Sequence, residues 1–117
     1  MASWIFIVES NCIDPTREKE FNDWYNNVHI PDIMSTKSVK KADRYELTTP
    51  PGKLDYIRGL ADGRGKYIAV YEIESDDIEA TMAAFGEKMR VIAKGRMSPL
   101  MKATCRGVYK KITASPK

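Results

Sequence analysis

His29 is the single histidine of the chain, and it stands in the stretch Trp24-Tyr25-Asn26-Asn27-Val28-His29-Ile30-Pro31. An imidazole, with a reference pKa of about 6.5, can hold or release a proton near neutrality, so one such residue suffices for acid–base work. Tyr25 lies four residues earlier, which on a helix sets phenol and imidazole side by side on one face. Phe21, Trp24, Tyr25 and Val28 follow the i, i+3, i+4, i+7 spacing of a helix with one buried stripe. The pair is therefore expected at the edge of an apolar cavity. Desolvation there lowers the imidazole's pKa and favours the neutral, proton-accepting form. His29 and Tyr25 are the candidate catalytic residues. The plainer alternatives are a helix-end imidazole that packs or caps, and a core tyrosine with its hydroxyl at the rim.

Other chemistries fit less well. Gly59-Leu60-Ala61-Asp62-Gly63-Arg64-Gly65-Lys66-Tyr67 has the glycines of a phosphate loop but the wrong spacing. Tyr67 replaces the required Ser/Thr, and a strand follows where a helix should. A flexible lid or hairpin loop is the better reading. One histidine and two distant cysteines, Cys12 and Cys105, make no common zinc site and no disulfide framework. A haem needs only one imidazole, but nothing else in the chain argues for it. The expected enzyme works without a cofactor or a metal.

The net charge of +3 is spread along 117 residues, too thinly for a nucleic-acid surface but compatible with a small anionic ligand. The apolar run Trp4 to Val8 is too short for a membrane span or a signal segment, and the cysteine usage suits a reducing, cytoplasmic setting. With 43% hydrophobic residues the chain can build one ordinary core. We expect a domain over 1–112 and a short flexible tail over 113–117.

The elements that would position the pair read as follows. Ser3 to Glu9 is β-branched and aromatic, a buried strand. Asp14-Pro15 is an N-cap followed by proline at the first helical position. Pro31 ends or kinks this helix just past His29. Val39 to Leu47 is a charged strand at an edge or cavity wall, and Thr48 to Gly65 a long loop of the kind that often carries function. Lys66 to Glu74 is the third strand. Asp76 and Glu79 open a second helix, whose stripe Ile78, Met82, Phe85, Met89, Ile92 runs to about Lys94, with Gly95 as C-cap. A last strand lies near Thr104 to Ile112. The order is β-α-β-β-α-β, the ferredoxin-like arrangement of an α+β fold with a four-stranded antiparallel sheet and two helices on one face.

Two helices cover one side of such a sheet. Yet Trp4, Phe6 and Val8 alternate with apolar Ile5 and Ile7, and Tyr67, Ala69, Tyr71 and Ile73 alternate with Ile68 and Val70. Strands apolar on both faces need a second cover, and a second copy packed sheet to sheet is the economical one.

The segment Glu20 to Met34, "EFNDWYNNVHIPDIM", resembles the first-helix signature of the dimeric α+β barrel superfamily, closest to its EthD-like branch with a Tyr-x-x-x-His-x-Pro pattern. Here that pattern is Tyr25, His29 and Pro31. The superfamily includes muconolactone isomerases, polyketide and olivetolic acid cyclases, cofactorless quinone-forming monooxygenases, haem-degrading monooxygenases and dehydratases. The resemblance implies that His29 is the general acid/base and Tyr25 its hydrogen-bonding neighbour. No second histidine is present for a two-histidine mechanism. The second helix also lacks the histidine that haem-degrading members carry there.

For a small-molecule pocket, Trp24, Tyr45, Tyr67 and Tyr71 offer apolar walls with polar tips, and Arg44 could pair with a substrate carboxylate or enolate. A solvent-facing arginine is the plainer reading of Arg44. Asp43 or Asp32 could orient the imidazole, though Asp32 also suits a cap after Pro31. A one-residue slip of the second strand would exchange Arg44 with Asp43 or Tyr45. The expected function is proton abstraction beside a carbonyl of a small oxygenated, aromatic or lactone metabolite, followed by isomerisation, elimination or ring closure. The alternatives are a cofactorless monooxygenase of the same fold and a non-catalytic small-molecule-binding protein.

Overall fold

The computed structural model describes residues 1–48 and 65–116. Four strands form one antiparallel sheet in the order β2-β3-β1-β4: β1 Ala2–Cys12, β2 Lys41–Glu46, β3 Tyr67–Ser75 and β4 Met101–Lys110. Between β1 and β2 runs a composite helix made of a 3₁₀ turn Pro15–Arg17, α1 Glu18–Trp24, a π turn Tyr25–His29 and α2 Ile30–Ser35. Helix α3, Ile78–Ile92, connects β3 to β4. This is the expected ferredoxin-like βαββαβ order. The loop expected to act as a lid falls mainly outside the described residues.

Alternation decides which side of the sheet is buried. Val8, Tyr67, Ala69, Tyr71 and Ile73 point to the helices and are almost fully buried together with Phe21, Tyr25 and Ile33. On the other face Ile5, Ile7, Ile68 and Val70 are half-buried, and Tyr45 and Tyr109 are exposed.

Three boundaries differ from expectation. The first helix does not end at Pro31. Asp14 caps its start, accepting from the Thr16 N–H at 3.0 Å, but the chain passes through Pro31 into α2. A proline ring clashes with the carbonyl four residues back and brings no N–H. The chain absorbs both by widening the preceding turn, in which Ile30 N–H bonds to Tyr25 C=O, five residues back. In α3 the cap is Asp77, whose Oδ1 accepts from Ala80 N–H at 3.1 Å, and not Asp76. Strand β4 begins at Met101, because its pairing with β1 slips between Glu9 and Ser10 and leaves Thr104 as an extra residue. Gly65 lies against that irregularity. A Cβ there would sit 2.8 Å from both Ser10 N and Thr104 Oγ1, so only glycine fits.

Candidate functional site

A cavity of about 480 Å³ opens between the sheet and the helices. Phe6, Val8 and Tyr71 form its floor, Tyr25, His29 and Ile33 one wall, and Phe85 and Met89 of α3 the other. Arg90, Lys94, Met97 and Arg106 stand among its remaining lining residues. Helix α3 has no buried residue, so it roofs the sheet without filling the space beneath it.

The π turn carries both candidate catalytic residues inward. Tyr25 is 1% exposed and His29 8%. Their rings meet edge to face at 5.0 Å, and the Trp24 indole stacks on the imidazole at 4.7 Å. Burial holds the His29 pKa down to about 4, with Asp32 opposing that shift and Arg44 adding to it. The imidazole is therefore neutral at pH 7, and neither ring nitrogen has a hydrogen-bond partner among the described residues.

The Tyr25 and Tyr71 hydroxyls lie 3.2 Å apart, both buried. Burial raises the pKa of each phenol, so both stay protonated. Two hydroxyl protons and one shared hydrogen bond leave one O–H free to donate to a guest. The inner end of an otherwise apolar cavity thus presents one phenolic donor and one neutral imidazole. Such a set can accept a proton and hold a developing oxyanion.

The other expected pocket residues divide into three groups. Tyr71 lines the cavity. Trp24 lies behind His29, its Nε1 donating to the Arg96 carbonyl at 2.7 Å, so it positions the imidazole without lining the cavity. Arg44 and Tyr67 lie in a separate polar cluster. Arg44 Nη1 and Nη2 donate to Asn26 Oδ1 (2.8 Å) and Asn22 Oδ1 (2.9 Å), and its guanidinium lies 4.0 Å from the Tyr25 ring centroid. Tyr67 Oη donates to Glu18 at 2.8 Å and accepts from Asn22. Neither is among that cavity's lining residues; with Asn22, Asn26 and Tyr45 they line a separate, polar depression. The cation acts on Tyr25 through its ring face.

Tyr45 pairs with Ile68, on the open face of the sheet, and is 56% exposed. Asp43 shares that face, 3.3 Å from Lys41 Nζ. Asp32 is buried near His29, but its carboxylate receives Arg96 Nε and Nη2 at 2.8 and 3.0 Å. That fork ties the α3–β4 connection to the helix bearing His29, a contact between residues far apart in sequence that no local pattern announces. Among the described residues no three His, Cys, Asp or Glu side chains gather, so no metal donor set surrounds the imidazole. No helix among them is long and apolar enough to cross a membrane.

Among solved structures the chain is similar to HapK from Hahella chejuensis, with a TM-score of 0.58 at 13% identity over 97% of each chain. It is also similar to an EthD family protein from Bacillus halodurans C-125, with a TM-score of 0.52 at 11% identity over 96% of this chain and 100% of that one. A dimeric ferredoxin-like protein from Thermobifida fusca YX gives a TM-score of 0.52 at 11% identity, over 96% of this chain and 92% of that one. Identities this low establish the fold alone, the ferredoxin-like one that these proteins share. No curated protein matches the chain in sequence. The family model that matches, over residues 3–99, is the Domain of unknown function DUF4286, and the chain belongs to that family.

Proposed function

We propose that the chain is a small-molecule acid–base enzyme of the isomerase, lyase or cyclase kind, acting on an oxygenated metabolite held in the cavity. The observation that carries this reading is the pairing of a neutral, hydrogen-bond-free imidazole with a phenol pair that retains one free donor, at the closed end of an apolar cavity. His29 takes a proton from carbon beside the substrate carbonyl. The spare phenolic O–H of the Tyr25–Tyr71 pair meets the carbonyl oxygen as it gains charge. An imidazole with a pKa near 4 is a weak base toward water. In the cavity, an enolate formed beside it pairs with the new imidazolium, which makes the transfer less unfavourable. His29 then returns the proton at another position, or to a leaving hydroxyl. The cavity volume suits a small metabolite.

The test is exchange of the α-protons of a panel of lactones and aryl ketones into D₂O, followed by NMR. Wild type is expected to catalyse exchange for at least one member, and His29→Ala to lose about 10²–10⁴-fold. Equal rates for the two proteins would remove His29 as the base.

We infer also that a second copy covers the open sheet face, supported by the half-buried Ile5, Ile7 and Val70 and by the dimeric protein among the structural matches. Sedimentation should give a dimer for wild type and a monomer for Ile7→Lys. A monomeric wild type overturns this.

A further inference from the structure

The interior of the cavity is neutral and its rim is not. His29, Tyr25 and Tyr71 carry no charge at pH 7, and their neighbours Phe6, Val8 and Ile33 are apolar. Among the described residues, every charged one that lines the cavity is a cation: Arg90, Lys94 and Arg106. Among the described residues no carboxylate lines it.

These cations differ in how they are already used. Arg90 Nη2 donates to Glu87 Oε2 at 2.7 Å on the exposed side of α3. Lys94 lies just past the C-terminus of α3, where a cation also complements the helix dipole. Arg106 has no such explanation. It pairs with Val8 across β1 and β4, and Val8 belongs to the helix-facing side, so Arg106 is set over the cavity and not on the open face. Neither Arg106 nor Lys94 has an ion-pair partner among the described residues. The field of Arg106 also reaches the Tyr25 phenol at the inner end. A surface arginine with no ion-pair partner among the described residues, above an apolar cavity ending in acid–base groups, is placed to hold an anion at one end of a ligand.

Building on the function proposed above, we propose that the ligand is an amphipathic anion, its apolar body in the cavity and its carboxylate or equivalent anionic group at the rim between Arg106 and Lys94. The anionic group fixes the orientation, so the reacting carbon–oxygen end points inward to His29 and the tyrosines. Remote binding of this kind positions the reacting atoms without taking part in the proton transfer.

Two probes of one shape separate charge from apolar fit: 4-phenylbutyrate and 4-phenylbutan-1-ol. Binding to the full chain is followed at pH 7 through the His29 Cε1–H resonance, for wild type, for the Arg106→Gln/Lys94→Gln double variant and for Arg106→Glu. Wild type is expected to bind the carboxylate about tenfold more tightly than the alcohol, the strength of a charge-assisted contact at a wet rim. The double variant should bind the two alike, and Arg106→Glu should prefer the alcohol. Retained alcohol binding shows that the variants keep their cavity. If the probes bind wild type equally, or the carboxylate keeps its advantage in the double variant, the anionic ligand is overturned while the cavity reading stands. If neither probe moves the His29 resonance, the cavity reading falls too, and this inference with it.

Discussion

The composite helix over 15–35 and helix α3 cover the same face of one sheet, yet they meet it in opposite ways. The first buries Phe21, Tyr25, His29, Asp32 and Ile33, and Arg44 from β2 fills what space remains beside Tyr25. Helix α3 buries none of its fifteen residues. It is held at its ends and edge: Asp77 caps it, Ser75 and Thr81 share a hydroxyl contact at 2.6 Å, and Lys88 Nζ reaches the Thr36 carbonyl at 2.8 Å. Phe85 reaches Phe6 edge to face with ring centroids 6.2 Å apart, and the flexible Met89 completes the roof. One half of the layer is a fitted core that fixes Tyr25 and His29. The other is a propped roof whose incomplete packing is the cavity. Free energy not gained under α3 is the cost of leaving the cavity open.

The comparison breaks most directly by truncating one phenylalanine on each side. Phe21 is completely buried, and Phe21→Ala should destabilise the fold by about 3–5 kcal/mol, through lost transfer energy and the void left behind. Phe85 already borders empty space, so Phe85→Ala adds volume to an existing cavity and should cost about 1–2 kcal/mol. Urea unfolding of the two variants measures the difference. Equal losses would mean that α3 packs in solution as tightly as the first helix and that no room for a ligand exists beneath it.

The two halves also differ in how far their sequence announces them. Strands β1 and β3 are legible because strict alternation of large apolar side chains has only one register that buries them, and the structure keeps the faces read from Trp4, Phe6, Val8 and from Tyr67 to Ile73. The Tyr25–His29 pairing is legible from a four-residue spacing, since the widened turn still brings the two rings together. Arg44 and Tyr45 were not separable, because a charged strand such as β2 carries no apolar face to set its parity. Arg106 escaped for a related reason. The extra residue Thr104 reverses the alternation midway along β4, so counting from either end gives the wrong face for the other. The Asp32–Arg96 fork joins residues brought together only by the completed fold. Continuation through Pro31 depended on a wider turn that no residue type demands.

The fitted half can be sharpened by pH, because only there is a titratable base held in its uncharged form. In the unfolded chain His29 binds its proton near the reference value of about 6.5, whereas in the fold it does so only near pH 4. Between those values the unfolded state carries more protons, so stability falls as pH falls through this window and levels off below pH 4. The full difference amounts to up to about 3 kcal/mol, and much of it accrues above pH 5, before most carboxylates titrate. His29→Gln cannot take up a proton, so its stability should stay nearly flat from pH 6.5 to 5 while that of wild type declines. Chemical denaturation at the two pH values reads this directly. A wild type as flat as the variant would mean that His29 titrates alike in both states. The imidazole would then be in water rather than at the inner end of the cavity, and the fitted half would no longer hold a neutral imidazole beside the space under α3.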